Sequence, residues 1–86
     1  MKSELLMTLE IVQLLGSGTF HADELCQRFG CSVATLKRRL SEARNLGAHV
    51  ESIKVGARWS YHVGNFANIS EKLERWIALE QGRSLI

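Results

Sequence analysis

The tightest constraint in this 86-residue chain is Gly30-Cys31-Ser32, three residues that separate two short amphipathic segments. Before them, Ala22, Leu25, Cys26 and Phe29 recur at three- and four-residue steps, the spacing of one helical face. After them, Val33, Leu36, Leu40 and Ala43 do the same, up to Gly47. Gly30 suits the left-handed position just past a helix end, and Ser32 suits an N-cap, whose side-chain oxygen accepts an orphan backbone N–H of the first turn. The pattern predicts a helix over about 22–29, a tight turn, and a second helix over 32–46.

Helix, glycine turn and capped helix together make a helix-turn-helix. Upstream, Ser3 is a plausible N-cap for a helix that carries Leu5, Leu6, Leu9, Val12 and Leu15 and stops at Gly16. Downstream, Ala48–Val55 and Arg58–Val63 are β-prone runs joined by Gly56-Ala57, and glycine first in a two-residue loop fits a type II′ hairpin. With Val55 opposite Arg58, one side of the hairpin carries Val50, Ser52, Lys54, Trp59, Tyr61 and Val63 and is expected to pack on the helices. The other side carries Glu51, Ile53, Val55, Arg58, Ser60 and His62. Asn68 with Glu71 three residues on reads as a capping box for a last helix, with Phe66 and Ile69 stapling its start and Gly82 to Ile86 fraying. The expected fold is α+β, mostly α: three helices, a β-hairpin wing and an additional C-terminal helix. Residues 1–64 are read as the winged helix-turn-helix unit and 65–86 as a C-terminal helix available for dimerisation.

Composition narrows the function. A chain of this length affords one domain with a modest core, and 45% apolar residues describe a globular protein. Its first apolar stretch is broken by Thr8, Glu10 and Gln13, so no membrane helix is expected and the chain is placed in the cytoplasm. Cys26 and Cys31 are too few for a disulfide framework and are read as thiols. The charge is segregated: residues 1–27 carry one Lys against four acids, net −3, whereas residues 28–58 carry seven cations against Glu42 and Glu51, net +5. A local excess of that size attracts polyanions whatever the total charge.

That excess falls on the second helix of the pair and on the hairpin tip. At about 100° per residue, Val33, Leu36, Leu40 and Ala43 share one side, while Ala34, Thr35, Arg38, Ser41, Glu42 and Asn45 share the other, flanked by Lys37, Arg44 and Arg39. The major groove of DNA admits such a helix, and an Arg fork grips guanine acceptors in pairs. Arg38 is the first candidate for base reading, with Thr35 and Ala34 beside it. Ser32, Lys37, Arg39 and Arg44 are assigned to the DNA backbone, as are Lys54 and Arg58 at the hairpin tip, where two cations reach toward an adjacent backbone or minor groove.

Residues 20–63, FHADELCQRFGCSVATLKRRLSEARNLGAHVESIKVGARWSYHV, resemble the N-terminal winged helix-turn-helix of DeoR-type regulators, WYL-domain regulators and the biotin repressor. The likeness rests on Ala22-Asp23-Glu24-Leu25, on Ser32-Val33-Ala34-Thr35-Leu36-Lys37-Arg38, and on Leu46-Gly47-Ala48 before the wing. It implies a sequence-specific regulator, a repressor, that binds double-stranded DNA as a homodimer.

Other readings stay open beside this one. A basic helix face also occurs as plain solvated surface, and the same fold serves as a protein-interaction module or a sequence-neutral nucleic-acid binder. His21, Cys26 and Cys31 are evenly spaced, but Cys26 falls on the apolar stripe and no paired Cys-x-x-Cys completes a metal site. No glycine-rich phosphate loop, nucleophile elbow or metal-binding helix occurs, so neither an enzyme nor a cofactor or small-molecule ligand is expected. Trp59 and Tyr61 have the chemistry to stack on bases, yet packing of the wing explains them more simply. Phe66, Ile69, Leu73, Trp76 and Ile77 are the candidate dimerisation residues, with packing on the first helix as the alternative.

Overall fold

The computed structural model describes residues 3–84. The elements are α1 (Glu4–Leu15), β1 (Phe20–His21), α2 (Ala22–Phe29), α3 (Val33–Asn45), β2 (Val50–Val55), β3 (Arg58–Val63) and α4 (Phe66–Ser84). Helices pack against the inner end of a three-stranded antiparallel sheet of order β1-β3-β2, the α+β, mostly helical architecture expected. No helix among the described residues is long and apolar enough to cross a membrane.

The local signals set most boundaries. Ser3 accepts from Leu6 N–H at 3.0 Å and Ser32 from Thr35 N–H at 3.1 Å, each filling one donor vacancy at a helix start. Gly30 has φ 60° and lets Cys31 N–H reach the Cys26 carbonyl at 3.0 Å, which closes α2 and turns the chain into α3. The hairpin register is the anticipated one, Val55 opposite Arg58 and Val50 opposite Val63. Gly56 has φ 64°, and no non-glycine residue has positive φ among the described residues, as a II′ turn requires.

Helix α1 is central. It packs against α3 on one side and α4 on the other, so Leu6, Leu9, Ile11, Val12 and Leu15 are all buried. They meet Leu25, Leu36, Leu40, Ala43, Val50, Tyr61, Val63, Leu73 and Ile77 in one core. Leu73 and Ile77, read as dimerisation residues, therefore belong to their own chain's core, and Phe66, Ile69 and Trp76 pack half-buried against it. Phe66 fits against α1 because Gly16 has no side chain: a Cβ there would collide with the Phe66 ring. The Ser3 hydroxyl donates to Glu80 at 3.2 Å, tying the start of α1 to the far end of α4.

Three expectations need correction. The chain pairs Phe20 with Tyr61 and His21 with Ser60 in a third strand, which buries Ser60 instead of leaving it on the open side of the wing. Helix α4 begins at Phe66, so Asn68 is not its cap. Asn65, just before it, accepts from His49 N–H at 2.8 Å and donates to the Gly47 carbonyl at 2.9 Å, latching the end of α3 to the start of α4. At the other end α4 continues through Gly82 to Ser84, while Leu85 and Ile86 lie outside the described residues.

Candidate nucleic-acid interface

The two sides of α3 differ in a way the apolar spacing alone does not foresee. Leu36, Leu40 and Ala43 are buried, but Val33 is 53% exposed and Arg39 only 8%. The buried arc is rotated toward Arg39 because α1 docks on that flank. Thr8, itself fully buried, donates its hydroxyl to Glu42 Oε1 at 2.6 Å, and Arg39 Nη1 lies 3.5 Å from Glu4 and 4.0 Å from Glu42. Arg39 is thus a strut between α1 and α3 and is not on the outer face; its assignment to the DNA backbone is corrected on that ground.

What remains exposed on α3 is Val33, Ala34, Lys37, Arg38, Ser41, Arg44 and Asn45, with Thr35 half-buried at the edge. Three cations surround small side chains, and no carboxylate lies among these residues. At the helix start the Ser32 hydroxyl also donates to Thr35 Oγ1 at 3.1 Å, so both side chains are fixed in the cap. Ser32 acts there by holding the first turn of α3 in place.

The wing stands beside this face. Its inner end is anchored by Val50, Tyr61 and Val63 in the core and by Ser60, whose Oγ sits 2.6 Å from His21 Nδ1. From Glu51 to Trp59 every residue is exposed, so Lys54 and Arg58 are carried out from the body. Arg58 lies 4.0 Å from Asp23 on α2, both side chains largely in solvent, a separation worth little in binding energy. On the other strand Lys54 Nζ lies 5.9 Å from the centre of the Trp59 ring. Trp59, expected from the sequence to pack on the helices, is 50% exposed. The register held the signal: Trp59 is one residue from the tip, beyond the reach of the core that takes Tyr61 and Val63.

Arg44 links the two elements, donating from Nε to the Val50 carbonyl at 3.2 Å where β2 begins. Between α3 and the wing this leaves an open cleft whose mouth carries Lys37 and Arg44. Of the expected site residues, Lys37, Arg38, Arg44, Lys54 and Arg58 are exposed, together with Ala34 and Ser32, and Arg39 is withdrawn. Among the described residues no group of three or more His, Cys, Asp or Glu side chains is arranged to hold a metal ion.

No protein-family model matches the chain. No curated protein matches it either. Among solved structures it is similar to the homodimeric winged helix-turn-helix DNA-binding domain, fragment 1–100, of a possible ArsR-family transcriptional regulator from Mycobacterium bovis, determined by NMR in solution. The two share 24% identity with a TM-score of 0.59, over 91% of this chain and 67% of that one. At that distance the likeness shows the winged helix-turn-helix fold.

Proposed function

We propose that this chain is a sequence-specific double-stranded DNA-binding regulator, a repressor that acts by occupying its operator. In this reading α3 enters the major groove and the wing, residues 54–58, lies on the adjacent backbone or minor groove. One observation carries it: Lys37 and Arg44 of α3 border an open cleft whose other side is the wing, at Ser52 and Trp59, while Arg38 on α3 and Lys54 and Arg58 on the wing are exposed as well. The fold shared with a domain described as DNA-binding supports it. In that geometry Arg38, with Ala34 and Thr35 beside it, reads base edges, while Lys37, Arg44, Lys54 and Arg58 meet phosphates.

The test begins with selection of bound sequences from a random duplex pool. On the selected site Arg38→Ala costs about 1–3 kcal/mol and relaxes preference at one base pair. Lys37→Ala weakens all duplexes alike and lowers the salt slope by about one ion. Gel shifts of both variants across a salt series separate the two roles. A folded protein with no duplex affinity at low salt overturns the reading in favour of a protein-interaction module. Equal competition by random duplex reduces it to sequence-neutral binding.

A second copy is the proposed partner in solution. The similar domain is described as homodimeric, and on α4 Leu79 is 59% exposed beside the half-buried Trp76. Two copies on a palindromic site place their recognition helices about one helical turn, ~34 Å, apart. Sedimentation equilibrium is expected to give twice the chain mass, and a monomer throughout the concentration range of DNA binding rejects the dimer.

A further inference from the structure

The cleft between α3 and the wing has a chemistry of its own. It is lined by the buried Leu40 and Tyr61 and by Ser41 and Ser52, and its volume is about 420 Å³. Lys37 and Arg44 are at its rim, and among the described residues no carboxylate lines it. The remaining wall is the Trp59 indole, half in solvent. A large aromatic left this exposed forgoes much of the burial that usually stabilises a tryptophan. The hairpin register puts it on the same side of the wing as Tyr61 and Ser52, which also line the cleft, and the Lys54 ammonium lies 5.9 Å from the centre of its ring.

We propose that this cleft seats one strand of the bound duplex, its phosphodiester between Lys37 and Arg44 and the adjoining deoxyribose against the Trp59 ring. The inference rests on the DNA-binding reading and adds to it an apolar contact with the sugar that no charge count reveals. The two cations supply the pull toward the strand and the two hydroxyls supply donors to phosphate oxygens. Arg44 is suited to this because its Nε is already engaged with the Val50 carbonyl, so its guanidinium is fixed before DNA arrives. The cleft is open along the face of α3, which suits a chain running through it better than a small molecule enclosed by it.

The test uses the two tryptophans of the full chain, Trp59 and Trp76, whose indole N–H signals are followed by NMR during titration with the selected duplex. Trp59→Phe assigns the signals. Binding itself is read independently from the anisotropy of a labelled duplex. The Trp59 signal is expected to shift in step with binding. Trp59→Ala is expected to weaken binding about tenfold with an unchanged salt slope, and Trp59→Phe to retain most of the affinity. Because Trp59 is half-exposed, both variants are expected to keep the wild-type circular dichroism. Duplex binding with a stationary Trp59 signal, or with full affinity in Trp59→Ala, overturns the cleft assignment and leaves the DNA reading standing. Absence of any duplex binding at low salt overturns both. A deoxymononucleotide that moves the Trp59 signal at the same concentration as the duplex makes the cleft a small-anion pocket and removes the strand from it.

Discussion

Arg38 and Arg39 are neighbours in sequence and stand in opposite regions of the molecule. Arg38 belongs to the exposed side of α3, with Lys37 and Arg44. Arg39 belongs to a polar seam, where Glu4 and Thr8 of α1 meet Arg39 and Glu42 of α3. The same cation serves as a candidate ligand-binding group in one place and as a structural brace in the other. What differs is which flank of α3 the first helix covers. Charge counted along the chain overstates the binding surface unless the seam is subtracted.

The contrast is tested most severely through the apolar residues beneath it. Leu36 is fully buried one turn from Leu40, under both regions. Leu36→Ala is expected to cost about 2–5 kcal/mol, read as a lower urea midpoint with little change in slope. Arg38→Ala, two residues on, is expected to move stability by less than about 0.5 kcal/mol. Similar losses for the two would mean that α3 has no outer face of the kind described.

Arg39→Ala comes next. The side chain is 10% exposed and its Nε and Nη1 meet no hydrogen-bond acceptor, so its guanidinium is held by the carboxylates of Glu4 and Glu42 across longer distances. Glu4 is 88% exposed, which weakens that half of the pairing through solvent screening. Removal of Arg39 leaves Glu42 with Thr8 alone and opens a gap between α1 and α3. The expected cost is about 2 kcal/mol of stability, with the salt slope of DNA binding unchanged. Arg39→Met, which keeps the packed stem, is expected to recover part of that loss. A salt slope lowered by about one ion in Arg39→Ala would return this residue to the exposed side.

These variants mark the boundary of what the sequence discloses. Caps and glycines act within a few residues, so Ser3, Gly30, Ser32 and Gly56 disclose starts, stops and turns in the sequence itself. The hairpin register followed from loop length for the same reason. Arg39 and Val33 are not legible because the direction from which α1 approaches α3 is a tertiary fact, and both residues sit at the edges of the apolar stripe, where the approach decides. The two-residue strand β1 is too short to show a period of two. Asn65 was passed over because its side chain bridges to Gly47 and His49, far back in the chain, rather than capping its own helix. The exposed cations are legible apart from Arg39, and the register already places Trp59 toward the hairpin tip, but how far the wing projects is a tertiary fact.

The smallest expected effect lies in the turn between α2 and α3, which sets the angle at which the exposed side of α3 is presented. Cys31 is half-buried there, and its N–H is bonded to the Cys26 carbonyl. Burial, and then the neighbouring Cys26 thiol, push the Cys31 thiol above its ordinary pKa. The neutral form is therefore favoured in the folded chain, and because alkylation requires the thiolate, Cys31 is expected to react with iodoacetamide at pH 8 more slowly than in the urea-unfolded chain. The rate in the folded chain should rise with pH beyond the point at which an ordinary thiol has levelled off. Peptide mass spectrometry of timed samples reads Cys31 separately from Cys26. Equal rates in folded and unfolded chains would mean that this turn opens readily, and α3 would then lack the fixed approach on which a distinction between Arg38 and Arg39 depends.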